Sequence, residues 1–399
     1  MLKKTTKQLY IRGQILNELY LRGPISRVDI AHNTGITPAT TTEVTAELLS
    51  EGLIDNAPTA STITTQMGSG RKKILLSICN HHSYYIGMEL SRSFLSFCLT
   101  TNTGEIIDTA YITQFPTSPD NIIAATFVKQ QMLRFIKKHN QLNVKAIGIA
   151  LPGHFNKGEK TIASVSEWKN FDIKSVFEVA PLPIYLENNV HCMSLYEHLM
   201  TAKNKGQNFI FFHAVHGIFS SSIYQEDLYG KRNFSVGEIG HTIIQPDGPL
   251  CECGRNGCLQ TYVGGFHIIA KAQSIFQNSK NTFLHSLVSC SEEITLDTVI
   301  EAYHLGDIAM IRIIKEAMQA VSITLNNLTL LIDAPKIYLH GPIFNNDITS
   351  QILEEYIHHK NLYGKSNEIN FEIVPYHELN GARGAATLAI HHYLIWSHR

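Results

Sequence analysis

Residues 23–54 read GPISRVDIAHNTGITPATTTEVTAELLSEGLI, and their spacing predicts two short helices around a tight turn. Ser26 is a natural N-cap for a helix over 27–33, and Gly35 supplies the turn. The Thr-Pro pair at 37–38 opens the second helix, because proline suits the first helical position. Two helices joined in this way are typical of a helix-turn-helix; a bundle used only for protein contacts is the alternative.

A β-hairpin wing is predicted after these helices. A polar stretch over 56–70 separates the apolar residues 53–54 from a basic triplet and the apolar strand 74–78. Arg71, beside a glycine-rich tip, would enter a minor groove or meet a phosphate. A flexible linker is the alternative interpretation of this segment.

The first 73 residues are basic, with nine Lys and Arg against six Asp and Glu, whereas the whole chain has a net charge of −1. A basic end on an acidic body favours a polyanionic partner for that end alone. We therefore predict that this end binds DNA. The residues predicted to contact DNA are Ser26, Arg27, Thr37, Thr40, Thr41, Thr42 and Arg71.

The composition is that of an ordinary globular protein, because 44% of the 399 residues are hydrophobic and 17% are charged. This length predicts two or three domains. No apolar run approaches the ~18 residues of a membrane-spanning helix, and the first residues lack the apolar core of a signal peptide. We expect a soluble, cytoplasmic protein with no membrane partner.

From Tyr84 onward, strand and helix patterns alternate. Apolar strands are predicted over 84–90, 94–100 and 144–151, with a helix over 122–138 before the last of them. This alternation predicts a three-layer α/β architecture.

Three of the seven cysteines, Cys251, Cys253 and Cys258, fall within eight residues. In a cytoplasmic protein, thiolates so close together favour metal binding over disulfides. Gly254 and Gly257 let the chain wrap around an ion. Tetrahedral zinc needs a fourth ligand, for which several histidines are available.

Three motifs occur in order along the chain: Leu151-Pro152-Gly153, Gly237–His241 and Cys251–Leu259. Together they resemble the ROK family, which contains sugar-responsive repressors and sugar kinases. Residues 23–54 are similar to the winged helix-turn-helix of its repressor branch, which includes N-acetylglucosamine and xylose repressors.

The resemblance implies an α/β protein in which a winged helix-turn-helix precedes a two-lobed ROK region of the actin-like, sugar-kinase type (ribonuclease H-like). The implied boundaries are 1–75 for the DNA-binding domain and 76–399 for the ROK region, with lobe one at about 83–185 plus 376–399 and lobe two at about 186–375.

The resemblance also implies two sites. His241 would join the three cysteines as the fourth ligand of a structural zinc ion, because four protein ligands leave no position open for water. A sugar or sugar phosphate would bind against Asn188, Asn189, Glu238, His241 and Gln260.

Two of these positions depart from the sugar kinases of the family. Asn189 stands where those enzymes have a catalytic Asp, and Gln260 stands where a Glu is usual. An amide cannot accept the proton of an attacking hydroxyl, and the phosphate loops at 89–93, 217–221 and 341–342 have lost glycines or their acid. The resemblance therefore implies no catalytic residues and no enzymatic activity, and the two lost charges would ease the entry of an anionic ligand.

The expected protein is a sugar-responsive transcriptional repressor of carbohydrate-utilisation genes, such as those of xylose metabolism. It would act as a homodimer or homotetramer whose affinity for operator DNA falls when the sugar binds. Two alternatives remain open: an ATP-dependent sugar kinase with an accessory N-terminal domain, and a repressor controlled by a partner protein with a vestigial sugar pocket.

Overall fold

The computed structural model describes residues 4–57, 73–116, 123–156, 161–163, 168, 171–177, 181–201, 206–230, 233, 235–359 and 369–397. The chain divides into two compact units, Met1–Gly206 with Glu378–Arg399 and Gln207–His377. Within the described residues, no helix is both long enough and apolar enough to span a membrane.

The secondary structure alternates between helices and strands. The helices are α1 (Thr6–Arg22), α2 (Arg27–Thr34), α3 (Pro38–Ser50), α4 (Ala125–Lys138), α5 (Ile173–Phe177), α6 (Asn189–Leu199), α7 (Gln260–Val263), α8 (Gly265–Asn278), α9 (Leu284–Leu287), α10 (Leu296–His304), α11 (Ile308–Leu331), α12 (Asp347–His359) and α13 (Asn380–Ile390). The strands are β1 (Ile25–Ser26), β2 (Ile54–Asn56), β3 (Leu75–Ile78), β4 (Tyr84–Leu90), β5 (Leu95–Thr101), β6 (Ile106–Ile112), β7 (Val144–Leu151), β8 (His154–Asn156), β9 (Thr161–Ala163), β10 (Ile184–Asn188), β11 (Phe209–Ala214), β12 (Ile218–Tyr224), β13 (Asp227–Leu228), β14 (Lys336–His340) and β15 (Phe371–Val374).

The predicted helix-turn-helix is present as α2 and α3, packed on α1. Ser26 caps α2, since its hydroxyl accepts a 3.2 Å hydrogen bond from the backbone N–H of Asp29. Thr37 caps α3 in the same way, through the backbone N–H of Thr40 at 3.3 Å. Gly35 ends α2 with a φ of +69°, the left-handed conformation that suits glycine.

The strands of the predicted wing are also present. β2 and β3 are antiparallel neighbours, and β1 completes a small sheet in the order β1-β3-β2. Arg71, which was predicted to contact DNA from this wing, lies outside the described residues.

The main sheet of the first unit has the strand order β10-β7-β4-β5-β6, and α13 lies directly on its centre. Gly87 on β4 and Gly148 on β7 make this close approach possible. A Cβ atom at Gly87 would lie 1.9 Å from the carbonyl oxygen of Ala382, and one at Gly148 would lie 1.7 Å from that of Ala385. Glycines in the strands and alanines in the helix therefore set the distance between the two layers.

The boundary between the units falls later than predicted for the two lobes. β10, over Ile184–Asn188, pairs in parallel with β7, and α6 packs on α13. Both elements therefore belong to the first unit, which continues to Gly206 instead of ending near 185.

The three N-terminal helices share a buried cluster with the body of the first unit instead of forming a separate core. Gly13 on α1 lies against the C-terminal segment, since a Cβ there would be 2.7 Å from both the Ile395 carbonyl oxygen and the Trp396 ring. The Tyr20 hydroxyl donates a 2.7 Å hydrogen bond to the carbonyl oxygen of Asn102. The DNA-binding helices are thus seated on the body by apolar packing and a buried hydrogen bond.

The second unit contains a sheet with the strand order β13-β12-β11-β14-β15. The long helix α11 packs with α7, α8, α10 and α12 in a large apolar core beside that sheet. β11 and β14 are parallel neighbours, so their carboxyl ends open at the same edge. Ligands bind at such edges in α/β proteins.

Candidate functional site

A compact group of His241, Cys251, Cys253 and Cys258 lies in the second unit, with all its ligand atoms within 4.8 Å of one another. The Cys251 sulfur is 3.6 Å from Nδ1 of His241, and the sulfurs of Cys253 and Cys258 are also 3.6 Å apart. Ligands of a tetrahedral zinc ion bound through sulfur at about 2.3 Å are separated by about 3.8 Å. The four predicted metal ligands therefore come together at the spacing that a metal ion requires.

The loop around this group turns tightly at two glycines. Gly254 and Gly257 have φ angles of +84° and +68°, and a Cβ atom at Gly257 would lie 1.5 Å from the carbonyl oxygen of Gln245. Hydrogen bonds from Gly254 N–H to the Cys251 carbonyl oxygen and from Cys251 N–H to the Arg255 carbonyl oxygen close the turn. Each glycine is therefore needed where the loop wraps.

The thiols of the group differ in their ionisation. Hydrogen bonds from the backbone and side chain of Arg255 lower the pKa of Cys253 to about 6, whereas burial raises the pKa of Cys258 to about 12. Cys253 is therefore the thiol of the group that ionises most readily.

Two predicted sugar ligands, Asn188 and Asn189, lie where β10 passes into α6. Asn188 is buried and serves as the N-cap, with Oδ1 accepting from the N–H groups of Val190 and His191 and Nδ2 donating to the Gly153 carbonyl oxygen. Asn189 follows on the first turn of α6 and is half-buried. Asn188 therefore has a structural role in holding the end of the strand, which the sequence reasoning did not assign.

The other predicted sugar ligands lie in the second unit. Glu238 is exposed and His241 half-buried, at either end of a 3-10 turn over Ile239–His241. Gln260 is buried, and the main chain engages both ends of its amide: Oε1 accepts from the Ile218 N–H at 3.0 Å and Nε2 donates to the His216 carbonyl oxygen at 2.8 Å. Gln260 therefore fixes the turn before β12, a structural role that the prediction of a sugar contact did not include.

Phe219 and Pro342 lie in the stretches 217–221 and 341–342, which the sequence analysis identified as altered phosphate loops. The buried Phe219 ring occupies the space beside Gly237, where a Cβ atom would lie 2.4 Å from the ring. At the start of the other loop, a Cβ atom at Gly341 would lie 1.9 Å from the Ala214 carbonyl oxygen, and the next residue, Pro342, has no N–H to donate.

A buried histidine pair lies at the same edge and was missed by sequence reasoning. His213 and His340 are register partners on β11 and β14, with nearly parallel rings and Nδ1 atoms 2.9 Å apart. Burial lowers the pKa of His340 to about 3 and that of His213 well below its usual value. The pair is therefore neutral near pH 7, so one imidazole donates to the other.

Two residues predicted to contact DNA are buried. Thr41 is fully buried because it shares the inner face of α3 with Thr45 and Leu48, at helical spacing. Ser26 is 2% exposed and is occupied by the capping of α2. Neither side chain is at the surface, so these two predictions of direct DNA contact are wrong.

The remaining predicted DNA contacts lie at or near the surface. Thr37 and Thr42 are exposed, whereas Thr40 is half-buried. Arg27 is also half-buried, and its Nε donates a 2.8 Å hydrogen bond to Thr45 Oγ1. The exposed face of α3, opposite the buried stripe, consists of Ala39, Thr42, Glu43 and Ala46. Of these, Ala39 and Ala46 were missed, although the spacing of the buried residues could have located them.

Comparison with known proteins gives two domain matches. Residues 85–392 match the model of the ROK family, and residues 9–55 match that of the winged helix-turn-helix DNA-binding domain. The xylose repressor of Bacillus spizizenii is 26% identical over 349 residues, which cover 85% of each protein. The DNA-binding transcriptional repressor Mlc of Escherichia coli is 24% identical over 374 residues, covering 91% of this chain and 89% of Mlc.

Solved structures show the same fold. A ROK family transcriptional regulator, a homologue of the Escherichia coli Mlc protein, has a TM-score of 0.78 at 21% identity over 99% of each chain. A ROK family glucokinase from Streptomyces griseus, in complex with glucose and AMPPNP, has a TM-score of 0.64 at 20% identity over 77% of this chain and 99% of the enzyme. The architecture is therefore a winged helix-turn-helix followed by an actin-like, sugar-kinase-type region.

Proposed function

The chain belongs to the ROK family, and on that premise we propose that it is a sugar-responsive, DNA-binding transcriptional repressor that binds its sugar without phosphorylating it. The observation that carries the second part is the environment of Asn189. Its Nδ2 donates to a carboxylate oxygen of Glu89 at 3.3 Å, and its Oδ1 accepts from the Val190 N–H at 3.0 Å. This side chain has no basic atom to take a proton from a sugar hydroxyl.

Two altered phosphate loops of the second unit support the same conclusion. Phosphate binding in kinase-type loops depends on bare backbone N–H groups that approach the phosphate oxygens closely. In this chain, Phe219 and the imino acid Pro342 stand at positions in two of those loops. Pro342 has no N–H to donate to a phosphate oxygen.

The DNA-binding role is supported by the capped helix-turn-helix and its relatives. α3 presents its exposed face, which includes Thr42 and Glu43, to a major groove, while the hairpin of β2 and β3 follows the adjacent backbone. The relatives named as repressors match 85% and 91% of this chain. We propose that the chain assembles into a homodimer or homotetramer in the cytoplasm, so that paired helices meet half-sites about 34 Å apart.

Zinc is the metal that we propose for the His241 group. Three thiols and one imidazole form a donor set that zinc favours, and four protein ligands leave no coordination position for water. When bound, zinc would supply the cross-link that holds the loop in shape. His241 and Glu238 stand at the ends of one 3-10 turn, so a rigid loop also positions Glu238 for a sugar hydroxyl.

The test is a DNA-binding titration with the full-length protein. We expect salt-sensitive, sequence-preferring binding to the DNA upstream of neighbouring sugar-utilisation genes. We also expect a member of a panel of xylose, glucose and N-acetylglucosamine to weaken that binding, because sugar and operator affect each other's affinity reciprocally. Ala46→Glu places a negative charge on the exposed face of α3 and should abolish DNA binding. The control Thr329→Glu changes an exposed residue of α11 and should not affect DNA binding.

An ATP-turnover assay on the same panel tests the absence of kinase activity. We expect no sugar-dependent ATP consumption by the purified protein. Phosphorylated product would overturn the non-catalytic part of the proposal, and failure to bind any DNA of the neighbouring genes would overturn the repressor part.

A further inference from the structure

Glu89 is a buried carboxyl group beside Asn189 that the expected sugar site does not include. It lies near the end of β4, is 6% exposed, and accepts hydrogen bonds from Nδ2 of Asn189 and from the backbone N–H of Gly381. Gly381 lies so close to Glu89 that a Cβ atom there would be 2.1 Å from the carboxyl carbon of Glu89. The carboxyl group is thus enclosed between the first turn of α6 and the first turn of α13.

These contacts determine which way the amide of Asn189 points. The carboxylate of Glu89 can only accept a hydrogen bond, so the amide turns its NH₂ group toward Glu89. The N–H of Val190 can only donate, so the amide turns its oxygen toward the helix end. Both neighbours favour the same orientation, and the second hydrogen of Nδ2 is left to donate to a ligand.

The charges around Glu89 leave its carboxylate uncompensated within the described part of the chain. Cys192 on α6 and Tyr111 on β6 are the titratable groups that face it, and each is neutral near pH 7 because its own pKa is raised. On β5 and β7 its register partners are Ser96 and Ala150. Arg383 on α13 instead stacks on the ring of Tyr196 and donates to its hydroxyl. A negative charge at Glu89 would therefore repel an anion placed next to Asn189.

We propose that Glu89 is a positioning residue for ligand recognition: it holds Asn189 as a hydrogen-bond donor and selects a neutral sugar over its phosphorylated form. The inference rests on the proposed sugar-binding function and deepens it. It also opposes the simpler expectation that losing acidic residues from the pocket favours an anionic ligand. The carboxyl group missing at 189 is supplied from β4 instead.

The burial of Glu89 has a measurable consequence, because it raises the pKa of this carboxyl group to about 7. Above that pH the carboxylate is charged and the amide of Asn189 is firmly oriented. Below it, the protonated acid no longer repels an anion. Discrimination against a sugar phosphate should therefore weaken as the pH falls from 8 to 6.

The experiment is calorimetry with the full-length protein at pH 6 and pH 8, using glucose, xylose and N-acetylglucosamine, and the 6-phosphates of glucose and N-acetylglucosamine. For a hexose that binds, the quantity to compare is the ratio of the Kd of its 6-phosphate to the Kd of the free sugar. We expect this ratio to be at least about tenfold larger at pH 8 than at pH 6. Glu89→Gln should remove most of this pH dependence, because Gln is neutral and the same size. It should also reduce the preference for the free sugar over its 6-phosphate by about tenfold. Glu105→Gln, an exposed glutamate of the same unit, should leave both unchanged.

Exchanging the two side chains separates recognition from folding. Asn189→Asp alone places two carboxyl groups together and should lower the melting temperature, whereas Glu89→Gln with Asn189→Asp restores one amide and one acid. We expect the double variant to regain the melting temperature but not the sugar affinity, because position 189 then presents an acceptor instead of a donor.

The outcomes are distinct. Sugar binding in Glu89→Gln with unchanged discrimination and an unchanged pH profile would overturn the inference and leave the proposed function intact. Full sugar affinity in the double variant would do the same. No binding of any sugar by the wild-type protein would overturn the proposed function, and the inference with it.

Discussion

In the first unit, β4 and β10 lead to an acid and an amide, Glu89 and Asn189, whereas in the second unit β11 and β14 end in a stacked pair of neutral histidines. At the first edge Glu89 is buried, but Asn189 is only half-buried. At the second edge both imidazole rings are buried. The two units, each with a sheet of mixed parallel and antiparallel strands, thus differ in the side chains at their strand ends.

Under the proposed function, this difference accounts for a kinase-type fold that binds a ligand without a reaction. Hydrogen bonds to sugar hydroxyls need directed polar side chains, which a half-buried amide supplies. Phosphoryl transfer needs a base and a cradle of free backbone N–H groups, and both are replaced here. The change that we propose involves a few side chains at the strand ends.

The largest effect is expected from breaking the metal group, which has no counterpart among the described residues of the first unit. Cys258→Ser should remove about one equivalent of bound zinc and lower the melting temperature by about 10 °C or more, because structural zinc contributes several kcal/mol to folding. Metal analysis and thermal unfolding measure both. The control is Cys290→Ser, an exposed cysteine outside the group; equal loss of zinc in the control would contradict the assignment.

A smaller effect is expected where the first unit depends on close packing. Gly148→Ala should destabilise the protein by about 3 kcal/mol, because the added methyl group would overlap the Ala385 carbonyl oxygen and push α13 from the sheet. Chemical denaturation measures this change. Gly217→Ala in the second unit is the matched control, since a Cβ atom there meets nothing within 4 Å. If both substitutions had the same cost, the sheet–helix distance would not be set by glycine.

The smallest effect concerns the pH dependence of stability at Glu89. Its folded pKa of about 7 lies above the ordinary 4.5, so its contribution to stability is greatest below pH 4.5 and is lost as the pH rises through 7. Glu89→Gln should therefore gain stability relative to the wild type by about 2 kcal/mol between pH 5 and pH 8. Denaturation at the two pH values measures the difference. If the free energies of unfolding of Glu89→Gln and the wild type differed by the same amount at both pH values, burial would not disfavour the charged form of Glu89.

Local features could be predicted well from the sequence. Ser26 caps the helix that it was expected to cap, the Thr-Pro pair at 37–38 begins the next helix as expected, and the cysteines meet His241 as the family resemblance implies. These features depend on short-range spacing or on a specific motif. Thr41 was assigned wrongly because three successive threonines do not indicate which of them faces the core. The helical spacing of Thr41, Thr45 and Leu48 does indicate it.

Long-range features could not be predicted in this way. Glu89, Asn189 and Gly381 meet only because β4, α6 and α13 lie side by side, although they are far apart in the chain. The His213–His340 pair depends on the register between two parallel strands, which no local pattern specifies. Gln260 is similar, since its partners lie on the turn at 216–218.

The packing of Gly13 against Trp396 has a consequence for folding during biosynthesis. The second unit is one continuous segment, Gln207–His377, but the first is built from both sides of it. A ribosome therefore releases everything that the second unit needs before it releases α13, on which the first sheet rests, and Ile395 and Trp396, against which α1 packs. The usual N-terminal-first order of domain folding is reversed: the DNA-binding helices, although translated first, gain their support last.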